Sequence, residues 1–186
     1  MIWTNDHTHW GLISILIHWM TAVIVFGLFG LGLWMVELDY YHEWYRKGPN
    51  LHKSMGVLLL MLTLFRLLWV SVQSRPLPLE HYTPIEKRLS KWVHHALYLL
   101  LLAIMFSGYL ISTADGRAVE VFGLFSIPAT ISGIEHQEDI AGEVHLVLAV
   151  TLIALVVMHA SAAVKHHWLD KDVTLKRMLG LVNRGD

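Results

Sequence analysis

Residues 144–164 read VHLVLAVTLIALVVMHASAAV, a stretch without Asp, Glu, Lys or Arg that carries a histidine near each end, His145 and His159. A helix rises 1.5 Å per residue, so about 20 apolar residues cross the hydrocarbon core of a bilayer. The two histidines are 14 residues apart, and 14 steps of about 100° close nearly four turns. Both rings therefore leave one face of the helix, about 21 Å apart along its axis. Ionisable residues inside spans are rare and mark sites. Two on one face, near opposite sides of the membrane, point to two sites served by one helix.

Three further runs have the same character. Residues 7–36 contain no charged side chain, and 12–36 is their apolar part. Residues 51–72 carry two charges, Lys53 at the start of the run and Arg66 within it, and 92–114 carry none. The segments between them (37–50, 73–91 and 115–143) are charged or hold Pro and Gly. The last includes an uncharged piece, 121–134, with Gly123, Pro128 and Gly133 inside it, which reads as a surface-lying or re-entrant lid rather than a fifth span. The expectation is an all-α integral membrane four-helix bundle, with residues 1–186 as a single membrane domain.

Composition agrees. Hydrophobic residues make up 55% and charged residues 16%, against about 25% charged in soluble domains. The net charge of −1 gives no reason to expect nucleic acid as a partner. Eight tryptophans suit membrane interfaces. No Lys or Arg precedes the first apolar run, and that run is long enough to span, so no cleavable signal peptide is expected. Basic residues outside the spans set the orientation. The 73–91 loop has Arg75, Lys87, Arg88 and Lys91, and the tail has Lys165, Lys171, Lys176, Arg177 and Arg184. The other two loops have only Arg46, Lys47 and Arg117. Both termini are expected in the cytoplasm.

Cysteine is absent and histidine is abundant, at 13 residues. Without cysteine there are no disulfides, no thiolate-held iron–sulfur clusters, and no thiolate-ligated or covalently attached haem. Any haem must be held non-covalently, with histidine as ligand. Helix one runs outwards and places His18 about as deep as His159. Helix two starts outside with His52 in its first turn, as His145 is in helix four. The expected pairs are His18 with His159 on an inner haem and His52 with His145 on an outer one. Gly56 and the small residues Ala160, Ser161, Ala162 and Ala163 leave room for a flat macrocycle, although small residues also serve plain helix packing. Arg66 falls 14 residues after His52, at the inner level, as a propionate partner or a charge snorkelling to the interface. Lys53 and Arg46 are candidates for the outer propionates or ordinary interfacial charges. His94 and His95 open helix three at the inner edge, where one would line a quinone pocket or bond a propionate and the other anchor the interface. His166 and His167 are expected at the surface. His7, His9, His42, His81 and His136 lie in loops or tails and receive no role.

With these residues in place the chain resembles the bacterial cytochrome b561 family, small four-helix dihaem cytochromes of the inner membrane, over nearly its whole length. The resemblance is carried by ILIHW (15–19), LHKSMGVLLLML (51–62), FRLLW (65–69), HHALYLL (94–100), SGYLISTADG (107–116) and VFGLFSIPAT (121–130). The closing block, 144–178, with its paired histidines and the KHH…KD.TLKRM tail, is the most specific part. The resemblance implies two haem b groups with bis-histidine ligation by His18, His52, His145 and His159, and electron exchange with ubiquinone. It favours His94, four residues before Tyr98, over His95. The closing block is also similar to a member encoded beside a periplasmic lipocalin-like isoprenoid-binding protein.

Three functions follow. The leading one is electron transfer between the quinone pool and a periplasmic partner or small oxidant or reductant at the outer face. A superoxide:ubiquinone oxidoreductase, the activity of one member type, is its enzyme version. The acidic outer loops (Glu37, Asp39, Glu43, Asp115, Glu120, Glu135, Glu138, Asp139, Glu143) disfavour an anionic substrate. The second is a membrane anchor for a periplasmic dehydrogenase or isoprenoid-binding protein. The third is a histidine-lined metal or proton transporter, which the lack of acidic residues in the spans disfavours.

Overall fold

The computed structural model describes residues 3–79 and 81–182; of the basic tail residues, Arg184 lies outside the described part. Four long helices, α1 (Leu12–Met35), α2 (Trp44–Val72), α3 (Pro84–Thr113) and α4 (Gln137–Trp168), form an up-and-down bundle. All four are long and apolar enough to cross a membrane. Large apolar side chains such as Val23, Phe26, Leu64, Phe65, Leu99, Phe106, Val147 and Met158 face outwards. That inverted exposure is how a lipid-facing surface differs from a soluble one.

The helices outrun the apolar stretches. The first turns of α2 hold Tyr45, Arg46 and Lys47, and Pro49 lies near the helix start, where its ring and missing N–H are best tolerated. The polar start of α3 is fixed by a capping box. Thr83 accepts from the Glu86 N–H, and the Glu86 carboxylate accepts from the Thr83 N–H.

Between α3 and α4 the lid contains an antiparallel hairpin, β1 (Val119–Val121) with β2 (Phe125–Ile127). Phe122 and Gly123 both have positive φ, 50° and 69°, and the Leu124 N–H bonds the Val121 carbonyl. This is the turn whose twist suits a hairpin. Glycine takes such a φ freely, but phenylalanine does so at a cost. Ser54 of α2 compensates by accepting from the Phe122 N–H at 3.1 Å. Tyr109 of α3 holds the far side of the lid, donating to the Pro128 carbonyl and accepting from the Thr130 N–H.

At the opposite end the chain closes on itself. The Leu77 N–H bonds the His7 carbonyl, Arg177 donates to the Leu77 carbonyl, and the Trp19 indole donates to the Met178 carbonyl. Met178 ends a short helix, α5 (Thr174–Met178), that follows α4. The bundle thus has a hairpin end and a terminal end.

Its centre is one cluster with a member from each helix: Val25, Leu59, Leu101 and Leu152. Seven residues are close to two helical turns, about 10.5 Å, so positions seven away share the inward face. Towards the terminal end these are His18, Arg66, His94 and His159. Towards the hairpin end they are Gly32, His52, Gly108 and His145. The interior is therefore three layers, with a dry aliphatic one between two that carry histidine.

Candidate functional site

In the terminal-end layer the His18 and His159 rings have centroids 6.3 Å apart, with planes at 64°. In the hairpin-end layer His52 and His145 are 6.1 Å apart, at 67°. The two pairs share almost one geometry although three different helices supply them. The structure thus brings together the residues that the depth argument pairs.

That geometry suits a shared metal. Metal–imidazole bonds are about 2.0 Å, so two rings on opposite sides of one ion have centroids on the order of 6 Å apart. Among the described residues, no three His, Cys, Asp or Glu side chains converge as ligands for a bare ion. A pair of imidazoles is the protein's share when a planar macrocycle supplies the remaining ligands, as in haem. The four rings are half-buried. A methyl group added at Gly56 would meet nothing within 4 Å, so there is open space beside the helix one turn from His52.

The layers differ in what surrounds their pairs. At the terminal end Arg66 turns inwards and donates from Nη2 to His18 Nδ1 at 3.0 Å, with its guanidinium 5.5 Å from the Tyr98 ring centroid. Arg66 therefore makes an inward contact with one of the paired histidines. His94 stands against His159, centroids 5.1 Å apart. Its Nδ1 bonds the Ser90 carbonyl at 2.6 Å, which requires the proton on Nδ1. His94 is also exposed on the flank of the bundle. His95 instead sits beside Trp92.

At the hairpin end glycines replace these side chains. A Cβ on Gly32 would lie 3.3 Å from His52 Cε1, and one on Gly108 would lie 3.1 Å from His145 Cε1. Each ring rests on the bare backbone of a neighbouring helix. His145 Nδ1 is 3.0 Å from Ser107 Oγ, whereas His52 Nδ1 is buried with no hydrogen-bond partner among the described residues. Lys53 is half-buried beside His52. Arg46 lines an open pocket at this end with Tyr45, Pro49, Asn50 and Arg117. Arg46 and the lid's Arg117 therefore line the same pocket, although Arg117 is also paired with Asp115 at 3.0 Å.

His166 and His167, expected at the surface, are half-buried where the tail folds back. His166 bonds Asp170 at 2.7 Å, as does Lys165. Beside them Asp172 is buried and accepts from Tyr82 at 2.6 Å. Burial pushes the Tyr82 phenol up, to about 12, and the Asp172 hydrogen bond adds to this. For Asp172, burial works to raise the carboxyl, but bonds from Tyr82 and Thr174 outweigh it and hold it below the usual range. His81 adds a longer contact to Asp172 at 3.5 Å.

Sequence reasoning missed Gly32, Gly108 and Ser107 as parts of the site. Their signal was available. Gly32 lies 14 residues after His18 and Gly108 lies 14 after His94, the same interval that separates His145 from His159.

Comparison with known proteins points the same way. The model of the prokaryotic cytochrome b561 family matches residues 9–181. Cytochrome b561 homolog 2 of Escherichia coli (strain K12) is 52% identical over 180 residues, covering 97% of this chain and 96% of that protein. The probable superoxide oxidase CybB of Yersinia pestis is 27% identical over 178 residues, covering 93% and 97%. Cytochrome b561 homolog 1 of E. coli is 24% identical over 173 residues, covering 89% and 94%. A family match over nearly the whole chain, with half-identity to one relative end to end, leaves one placement: the chain belongs to the prokaryotic cytochrome b561 family, as a multi-pass cytochrome of the bacterial inner membrane.

Proposed function

We propose that the protein holds two haem b groups in series, one between His18 and His159 and one between His52 and His145, and carries electrons between ubiquinone and a periplasmic partner. The observation that carries this reading is the repeated pair geometry, 6.3 and 6.1 Å between ring centroids, at the two ends of α4. Haem supplies reversible one-electron chemistry, and the protein tunes it through axial ligands, hydrogen bonds and burial.

The residues divide the work. The four histidines ligate. Arg66 can only donate, so its bond to His18 Nδ1 puts the His18 proton on Nε2. Ligation through Nε2 requires Arg66 to turn to another acceptor, and a propionate has the right charge. Lys53 and Arg46 serve the propionates of the other group. His94, exposed on the flank of the bundle and in contact with His159, is the point where a membrane-dissolved quinone meets the inner site. With the basic loop and tail in the cytoplasm, the His18–His159 site is the inner one.

A pyridine haemochrome assay with a reduced-minus-oxidised spectrum on detergent-purified protein tests the reading. Two b haems per chain with low-spin bands are the expected result. One haem would remove one pair. None in a folded preparation would return the histidines to transport.

The pocket where Arg46 and Arg117 meet favours a second reading of the outer face, oxidation of a small anion such as superoxide. Superoxide oxidation, for which the Y. pestis relative is named, has the same chemistry. Superoxide-driven quinone reduction by the purified protein alone would establish it. Co-purification of a soluble periplasmic protein, with no such turnover, would instead favour the membrane-anchor role.

A further inference from the structure

The hairpin-end pair is asymmetric. His52 Nδ1 is buried and has no hydrogen-bond partner among the described residues, while His145 Nδ1 lies 3.0 Å from Ser107 Oγ. A hydroxyl has one proton. Ser107 gives its own to the Ile104 carbonyl at 2.9 Å, so towards His145 it can only accept. The proton between them therefore belongs to His145 Nδ1. The Ser107 contact thus fixes the tautomer, with Nε2 bare. The next residue, Gly108, lets the ring approach, since a Cβ there would come within 3.1 Å of Cε1 and 3.4 Å of Nδ1.

We infer that Ser107 is a positioning residue for the iron-ligating His145, holding its ring so that Nε2 alone is offered to the metal and making that nitrogen the more basic of its pair. This rests on the haem reading of His52 and His145. A hydrogen bond from the far nitrogen of a ligating imidazole raises its basicity and fixes its plane. A more basic axial ligand favours the oxidised metal, so Ser107 lowers the potential of the outer haem. His52, with no such partner, contributes none of this. The outer site is thus tuned from the α4 side alone, through a serine–glycine step on α3.

The test compares the purified wild-type protein with Ser107→Ala and Ser107→Thr. In a redox titration, Ser107→Ala is expected to raise the potential of one haem and leave the other in place. Retention of that haem in detergent should fall by on the order of tenfold, the low end for loss of such a partner. Ser107→Thr, which keeps the hydroxyl, is expected to restore both. Two unmoved potentials at full haem content in Ser107→Ala would overturn the inference. A second measurement does not depend on that variant being well folded. In reduced, histidine-15N-labelled wild-type protein, an Nδ1–H signal that vanishes in His145→Gln should be slow to exchange. An Nε2–H signal at His145 would overturn the assignment. If the protein carries no haem, the haem reading has failed, and this spectrum alone still decides whether Ser107 fixes the tautomer.

Discussion

At the terminal end of the bundle the paired histidines are flanked by an arginine and a third histidine, and at the hairpin end by two glycines. The four helices contribute to both layers at the same seven-residue offset from one aliphatic cluster. Backbone geometry therefore sets where each pair stands, and the flanking side chains set what each layer can do. Arg66 and His94 offer charge and hydrogen bonds, and His94 is exposed on the flank of the bundle, which is why the quinone contact is proposed at the terminal-end layer. Gly32 and Gly108 offer only close approach and a rigid seat. The hairpin-end layer suits holding an electron carrier still beneath a lid.

The largest effects should come from the ligands. His145→Ala is expected to remove one haem of two, and His52→Ala to leave the same remaining potential. His159→Ala and His18→Ala should leave the other. Loss of both haems from any one of these variants would break the independence of the layers, and haemochrome content with titration decides it. Next come the flanks of the terminal-end layer. His94→Ala is expected to keep both haems and slow quinone turnover roughly tenfold, the effect of one lost hydrogen bond. Arg66→Gln removes a positive charge that favours the reduced metal. It should lower one potential by on the order of 60 mV, a tenfold change in a one-electron equilibrium.

Smaller still are the glycine seats. Overpacking costs about 1–3 kcal/mol, and the closer approach at Gly108 (3.1 against 3.3 Å) makes Gly108→Ala worse than Gly32→Ala. Thermal haem release measures the order, and a reversed order would argue against the rings resting on these backbones. The smallest effect lies outside both layers. A phenol raised in the folded state contributes stability that is complete below its ordinary value of 10.0 and is lost as pH rises through about 12. Tyr82→Phe should abolish that alkaline loosening of the tail and cost about 1 kcal/mol at neutral pH. Tyrosinate absorbance against pH follows it.

Much of this was legible in the sequence. Long charge-free runs force helices, because backbone polar groups in lipid must be satisfied within the segment. The 14-residue interval on α4, with depth counted from the span ends, pairs His18 with His159 and His52 with His145, and the structure brings the same residues together. Three features escaped for different reasons. The hairpin turns on Phe122–Gly123, and phenylalanine is a poor advertisement for positive φ; the support comes from Ser54, 68 residues away. Gly32 and Gly108 look like ordinary helix-packing glycines until a histidine is known to stand opposite. His166 reads as a surface charge because Asp170 and Asp172 reach it only once the tail has folded back.

The aliphatic layer of Val25, Leu59, Leu101 and Leu152 has an electrical consequence. The two histidine levels on α4 are about 21 Å apart along the axis, against a hydrocarbon core of about 30 Å. With the proposed haems in place, an electron handed between them would cross roughly two-thirds of the insulating thickness. At about 2.3 kcal/mol per charge per 100 mV, the transfer is coupled to the transmembrane voltage by about 1.6 kcal/mol per 100 mV. Four side chains without a dipole to reorient would make that middle layer the dielectric of a small capacitor, and the proposed relay would have its direction set by membrane energisation as well as by redox potential.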